Sequence, residues 1–143
     1  MIKTKGIRHI GIFTKNPKEL VIFYEKILNF KVVYNHIETF KNMLNLNEPI
    51  DVNVIKMSSE NGSQIEILYT NIKDERNDYV KKYFDYGIGY IALTVSGLKD
   101  IYDNLLKQGY ESISEEIYKA SDKINVLFCK DYDGNILELV EEI

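Results

Sequence analysis

The pattern that opens the first half of this chain returns in its second half, and that repetition limits the folds open to it more than any other feature. Ile7-Arg8-His9-Ile10-Gly11-Ile12 lies over Ile88-Gly89-Tyr90-Ile91-Ala92-Leu93. Gly62-Ser63-Gln64-Ile65-Glu66-Ile67-Leu68 lies over Gly134-Asn135-Ile136-Leu137-Glu138-Leu139-Val140, with the glycine and the glutamate in register. The first pair is offset by 81 positions and the second by 72, so the first half holds nine more residues between its anchors. Phe40 to Pro49 is the natural place for them. Recurrence of elements, turn glycines and glutamates together marks a tandem repeat, and 143 residues suit one domain built of two such modules.

Each module reads as βαβββ. Ile7 to Thr14 is short, β-branched and ends at a polar break, as a strand does. Asn16-Pro17-Lys18-Glu19 then has the chemistry of a helix start: an acceptor at the cap, proline at the first position and a carboxylate where a capping box wants one. Leu20, Phe23, Tyr24, Ile27 and Leu28 recur at helical spacing, and Asn29 tolerates the left-handed conformation that ends a helix. Lys31 to Thr39, Val52 to Met57 and Gln64 to Tyr69 follow as strands, with Asn61-Gly62 as a hairpin turn. In the second module the expected strands are Ile88 to Val95, Ser112 to Tyr118, Asn125 to Lys130 and Ile136 to Val140. Ser96 is the expected cap of a helix ended by Gly109, and Asp133-Gly134 forms the second hairpin turn. Module one spans about 1–70 and module two about 87–143. Residues 71–86 read as the connection, with a helical turn around Tyr79 to Phe84.

Composition removes several function classes. A formal net charge of −4, with Lys and Arg interleaved among Asp and Glu, gives no coherent basic face for a phosphate backbone, so nucleic acid is not expected as a partner. No apolar run approaches the roughly 20 residues of a membrane span, and no apolar leader follows Met1. The single cysteine, Cys129, cannot close an internal disulfide, so a cytoplasmic location is the default expectation. With 11 Tyr, 6 Phe and no Trp, a pocket would be lined by phenols and phenyl rings.

Strand alternation decides which side chains share a surface. His9 shares a face with Ile7, Gly11 and Phe13, and Glu66 shares one with Gln64 and Leu68. Tyr90 sits with Ala92 and Thr94, and Glu138 with Ile136 and Val140. The greasier opposite faces are expected to pack on the helices. A carboxylate in the middle of an apolar strand is costly unless solvated, paired or metal-bound, and here the placement occurs twice at equivalent positions.

The chain resembles the vicinal oxygen chelate superfamily: glyoxalase I, bleomycin-resistance proteins, fosfomycin-resistance enzymes, methylmalonyl-CoA epimerase and extradiol dioxygenases. The carriers are Ile7 to Ile12, Phe23-Tyr24, Leu28-Asn29-Phe30, and the closing Phe128-Cys129-Lys130-Asp131-Tyr132-Asp133-Gly134-Asn135-Ile136-Leu137-Glu138-Leu139, with Tyr132 where the family usually has proline. The resemblance implies an α+β fold, tandem βαβββ modules forming a cupped mixed β-sheet (a half-barrel) with helices on its outer face. It also implies a small-molecule site whose metal draws one ligand from each of four strand positions, here His9, Glu66, Tyr90 and Glu138. Three match, and Tyr90 stands where a second histidine is common. Imidazole and carboxylates suit a divalent metal such as Zn, Ni, Co, Mn or Fe, whereas a neutral phenol, with a reference pKa of about 10, is a poor ligand near pH 7.

Two functions follow. In the first, His9, Glu66 and Glu138 hold the metal of a glyoxalase-type lyase or isomerase. The resemblance implies that two vicinal substrate oxygens would chelate the ion, which would stabilise an enediolate, while Glu66 or Glu138 would move the proton and Tyr90 would donate a hydrogen bond to the substrate. In the second, a metal-free protein of the bleomycin-resistance kind sequesters a drug or metabolite in an aromatic groove. A homodimer is an alternative suggested by open sheet edges. His36 is expected at the strand surface, Cys129 as a small apolar packing residue, and Asp131-Tyr132-Asp133-Gly134 as a turn rather than a calcium loop.

Overall fold

A computed structural model describes residues 1–72, 82 and 84–143. The chain divides into two compact units, Met1–Arg76 and Asn77–Ile143. Among the described residues each unit carries one α-helix and one mixed four-stranded sheet.

In the first unit β1 (His9–Phe13) leads into α1 (Pro17–Leu28), then β2 (Lys31–Phe40), β3 (Ile50–Ser58) and β4 (Gln64–Tyr69). The sheet order is β1-β4-β3-β2, with β1 parallel to β4 and the other pairs antiparallel. Parallel pairing of the first and last strands requires the helix as a crossover. The buried stripe of α1 (Leu20, Phe23, Tyr24 and Ile27) faces the sheet side carrying Ile65 and Ile67, all at most 4% exposed. Each fully buried side chain of this kind stabilises the fold by roughly 1.5–3 kcal/mol. Tyr24 also stands edge-on to Phe23 and Phe30.

The second unit repeats the order with β5 (Ile91–Thr94), α2 (Leu98–Lys107), β6 (Tyr118–Ser121), β7 (Ile124–Lys130) and β8 (Ile136–Glu142), arranged β5-β8-β7-β6 with β5 parallel to β8. Both hairpin turns use a left-handed glycine, Gly62 and Gly134, each at φ 86°. The extra residues of the first half lie at 41–49, between β2 and β3, where a 3-10 turn forms at Asn42–Leu44; the second unit has only 122 and 123 there.

Four local expectations are corrected. The strand expected over Ser112 to Tyr118 is displaced to Tyr118–Ser121, and Ser112 contributes only an isolated bridge to Cys129. Serine hydroxyls are the reason. Ser114 Oγ accepts the Phe128 N–H at 2.9 Å, and Ser112 Oγ donates to Ser114 O at 2.6 Å, folding the segment on itself. The strand expected from Ile88 begins only at Ile91, after Gly87 in a left-handed conformation and Gly89, so Tyr90 precedes β5. Ser96 does not cap α2. Gly97 is the cap residue, and Glu141 on β8 accepts the N–H groups of Gly97 and Leu98 at 2.7 and 3.1 Å. Asn16 makes no side-chain cap bond in α1; Thr14 Oγ1 instead accepts the Asn16 N–H at 2.8 Å. The helical turn expected around Tyr79 to Phe84 falls largely outside the described residues.

Asp131 is 4% exposed and forms the second hairpin. Its Oδ1 accepts the N–H groups of Asp133 and Asn135, and its Oδ2 accepts from Asn135 Nδ2. Both oxygens serve the turn. No helix among the described residues is long and apolar enough to cross a membrane.

Candidate functional site

The helix-free face of each sheet carries the residues singled out by alternation, and the two faces differ. In the first unit the parallel register sets His9 beside Gln64 and Gly11 beside Glu66, while the antiparallel register sets Lys56 beside Glu66 and Tyr34 beside Lys56. One row therefore crosses the sheet from β1 to β2. His9 Nε2 lies 3.3 Å from Glu66 Oε2, and Lys56 Nζ lies 3.4 Å from Glu66 Oε1. The Glu66 side chain is 13% exposed, against 34% for His9 and 32% for Lys56. Glu66 thus sits deepest, with a cation or donor at each oxygen. Gly11, beside Glu66 in register, has no Cβ; one placed there would meet Leu68 Cδ1 at 3.3 Å.

Lys56 is held on its other side as well, with Nζ 4.9 Å from the centroid of the Tyr34 ring, a cation–π arrangement. The Tyr34 hydroxyl donates to Glu38 Oε1 at 2.8 Å, and that bond is the largest cause of its raised pKa. His36 is exposed on the surface of β2, as expected, and its ring lies tilted against Tyr34 with centroids 4.5 Å apart. Below this row the face turns apolar, with Val52, Val54 and Leu68 buried and Tyr34, Phe40 and Ile50 packed against them.

In the second unit the position opposite the glutamate changes character. Glu138 is flanked in register by Ala92 and Phe128, where Glu66 has Gly11 and Lys56. Glu138 is half-buried and makes no hydrogen bond or ion pair among the described residues. Tyr90 stands edge-on to Phe128 at 5.4 Å between centroids. Phe84, Tyr90, Ile113, Ser114, Phe128 and Ile136 line a pocket of about 290 Å³. An open recess of about 340 Å³ adjoins it, sharing Ser114 and Phe128 and adding Glu115, Glu116, Tyr118 and Val126.

The structure therefore brings His9 and Glu66 together in the first unit and sets Tyr90 on the same face as Glu138 in the second. Among the described residues no three His, Cys, Asp or Glu side chains cluster as a metal cage. Sequence reading missed Lys56 and Phe128, which occupy the same register position in the two repeats. The signal was present: once the turns centred on Asn61-Gly62 and Asp133-Gly134 fix the hairpins, each glutamate acquires a fixed partner on the preceding strand. Cys129 is fully buried, and burial is the main cause pushing its thiol from 9.0 to about 12, with the Asp131 charge adding to it; it packs as an apolar residue.

Two repeats of βαβββ connectivity, each pairing its first and last strands in parallel, define a family scaffold. The chain belongs to the Glyoxalase/Bleomycin resistance protein/Dioxygenase superfamily, whose sequence profile matches residues 6–139. Among solved structures it is similar to a glyoxalase family protein from Bacillus cereus, with a TM-score of 0.87, 15% identity and coverage of 99% of this chain and 97% of that one. It is also similar to a glyoxylase/bleomycin resistance protein/dioxygenase domain from Frankia (TM-score 0.71, 14% identity, 99% and 100% covered). A third is a fosfomycin resistance protein, FosX, from Listeria monocytogenes, complexed with Mn(II) and 1S,2S-dihydroxypropylphosphonic acid (TM-score 0.60, 17% identity, 96% and 92% covered). At these identities the likeness is one of fold. No curated protein matches the chain in sequence.

Proposed function

We propose that this protein binds a small molecule bearing an aromatic or apolar group, in the manner of the metal-free bleomycin-resistance branch of its superfamily. The pocket of about 290 Å³ walled by Phe84, Tyr90, Ile113, Phe128 and Ile136 carries this reading. It lies near the lower end of the roughly 300–1,000 Å³ usual for ligand sites, so it suits a single ring or a branched aliphatic group. The Tyr90 and Ser114 hydroxyls supply the few polar contacts that orient a ligand. Tyr90 and Phe128 already meet edge-on at 5.4 Å between centroids, and a ligand ring would add to them by edge-on or offset stacking. The test is thermal-shift screening with small phenols and aromatic amides, followed by calorimetric titration of each hit. Saturable binding that is lost in Phe128→Ala supports the proposal. A panel with no saturable ligand, or hits unaffected by Phe128→Ala, removes it.

A second reading, the glyoxalase-type lyase or isomerase, draws support from the approach of His9 to Glu66 and from Glu138, which has no partner among the described residues. A resident divalent ion on the His9–Glu66 pair would supply Lewis-acid activation of an oxygen-rich substrate. The donor types fit such an ion, but the charge does not: the Lys56 ammonium stands at Glu66 Oε1, where it neutralises the carboxylate and repels a second cation. On this reading Glu66 or Glu138 would carry the proton and Tyr90 would donate a hydrogen bond to substrate. Elemental mass spectrometry on untagged protein and on a His9→Ala, Glu138→Ala variant separates the two readings. Near-stoichiometric metal that disappears in the variant would establish the enzyme reading in place of the first.

A further inference from the structure

We infer that Lys56 is a built-in cation beside Glu66 in the first unit, and that it keeps divalent ions off the His9–Glu66 pair. The observation is the row Tyr34–Lys56–Glu66 with His9, one step along β1, reaching Glu66 from the other side. Lys56 Nζ is 3.4 Å from Glu66 Oε1, His9 Nε2 is 3.3 Å from Glu66 Oε2, and the Tyr34 ring backs the ammonium at 4.9 Å. A lysine held between a carboxylate and a ring face is not a freely swinging surface side chain. It is only 32% exposed, and its cross-strand register with Glu66 is fixed by the β3–β4 hairpin.

The repeat supplies the internal comparison. At the same register position opposite Glu138 the second unit has Phe128, and Glu138 is left without a partner among the described residues. The duplicated scaffold thus accommodates an uncharged residue in front of its glutamate. Lysine in the first unit is a feature of that unit and not a requirement of the fold. Its consequence is electrostatic. A divalent ion ligated by Glu66 and His9 would lie within a few ångströms of a fixed positive charge, and at the effective dielectric near a protein surface that repulsion weakens binding by well over tenfold. Glu66 also accepts one ammonium in place of the ion, so its charge is satisfied without a metal.

The test is a metal titration that needs no activity. Wild-type protein, Lys56→Met, Lys56→Phe and the double variant Lys56→Met/His9→Ala are titrated with Zn, Ni and Mn by calorimetry and thermal shift, with circular dichroism checking the fold of each. The expected result is an affinity at least about tenfold higher in Lys56→Met or Lys56→Phe than in wild type, abolished again in the double variant. Equal affinities in wild type and the Lys56 variants overturn the inference, as does an absence of metal binding in folded Lys56 variants. Should both variants fail to fold, Mn-induced broadening of the His9 imidazole signals in wild-type protein decides it: broadening at micromolar Mn overturns the inference, and sharp signals up to millimolar Mn uphold it. Aromatic-ligand binding at the Phe128 pocket is scored separately on the same proteins, so either proposal can fail without the other.

Discussion

Asp131 shows how a single side chain sets a turn that carries the site. Its carboxylate accepts two backbone N–H groups and one amide N–H while 4% exposed, and the strand it launches contains Ile136 and Glu138. Removing the acceptor takes the partner from part-buried donors of the turn, a cost of roughly 1–3 kcal/mol. Asp131→Ala is expected to lower the unfolding free energy obtained from urea titration by that amount, whereas Asp131→Asn, which keeps Oδ1 as the acceptor of the two backbone groups, loses less. Two residues upstream, Cys129 makes a pH prediction whose sign follows from its burial. The folded chain holds the thiol protonated up to about 12 against 9.0 ordinarily, so its contribution is fully present below pH 9 and is lost as the pH climbs through 12. The stability difference between wild type and Cys129→Ala is therefore expected to shrink across that window. A constant difference from pH 8 to 12 would show that the thiol titrates alike in both states.

Between residues and the molecule stand the elements, where α2 gives the sharpest prediction. Its first turn is capped from 43 residues away by Glu141, which places a negative charge on the free N–H groups at the positive end of the helix dipole. Glu141→Ala is expected to cost about 1 kcal/mol and to speed amide exchange at Gly97 and Leu98 before that of the β7–β8 pair. Uniform loss of protection would point to a general weakening instead. This cap was not legible in the sequence, because local motifs report only neighbours and the Glu141 contact depends on the sheet. The same limit explains the displaced β6, where Ser114 closes on Phe128 through tertiary geometry. What depends on short-range periodicity was legible: the buried stripe of α1, the left-handed stop at Asn29 and both glycine turns. For the candidate site, alternation put His9 and Glu66 on one face, while Lys56 stayed hidden because cross-strand partners emerge only once hairpin registers are fixed.

At the scale of the whole molecule, duplication produced two faces with one geometry and two chemistries. Equivalent positions hold His9 and Tyr90, Lys56 and Phe128, Gln64 and Ile136, so charge has collected on the first sheet and aromatic surface on the second. This division of labour makes a prediction that neither face makes alone. A ligand entering the second unit's pocket is bound by apolar burial, so its affinity is expected to depend on Phe128 and Tyr90, to vary little between low and high salt, and to survive replacement of His9 or Lys56. By mass action, such a ligand at about 100 times its Kd stabilises the state that binds it by about 2.7 kcal/mol. The measurement is the ligand-induced melting shift in wild type, Phe128→Ala, Tyr90→Phe and His9→Ala, at two ionic strengths. Phe128→Ala is expected to abolish the shift, Tyr90→Phe to reduce it by the worth of one hydrogen bond, roughly 1 kcal/mol, and His9→Ala to leave it unchanged. If His9→Ala removes the shift as fully as Phe128→Ala, the ligand is being held by both repeats together, and the two faces must be treated as one site with shared chemistry.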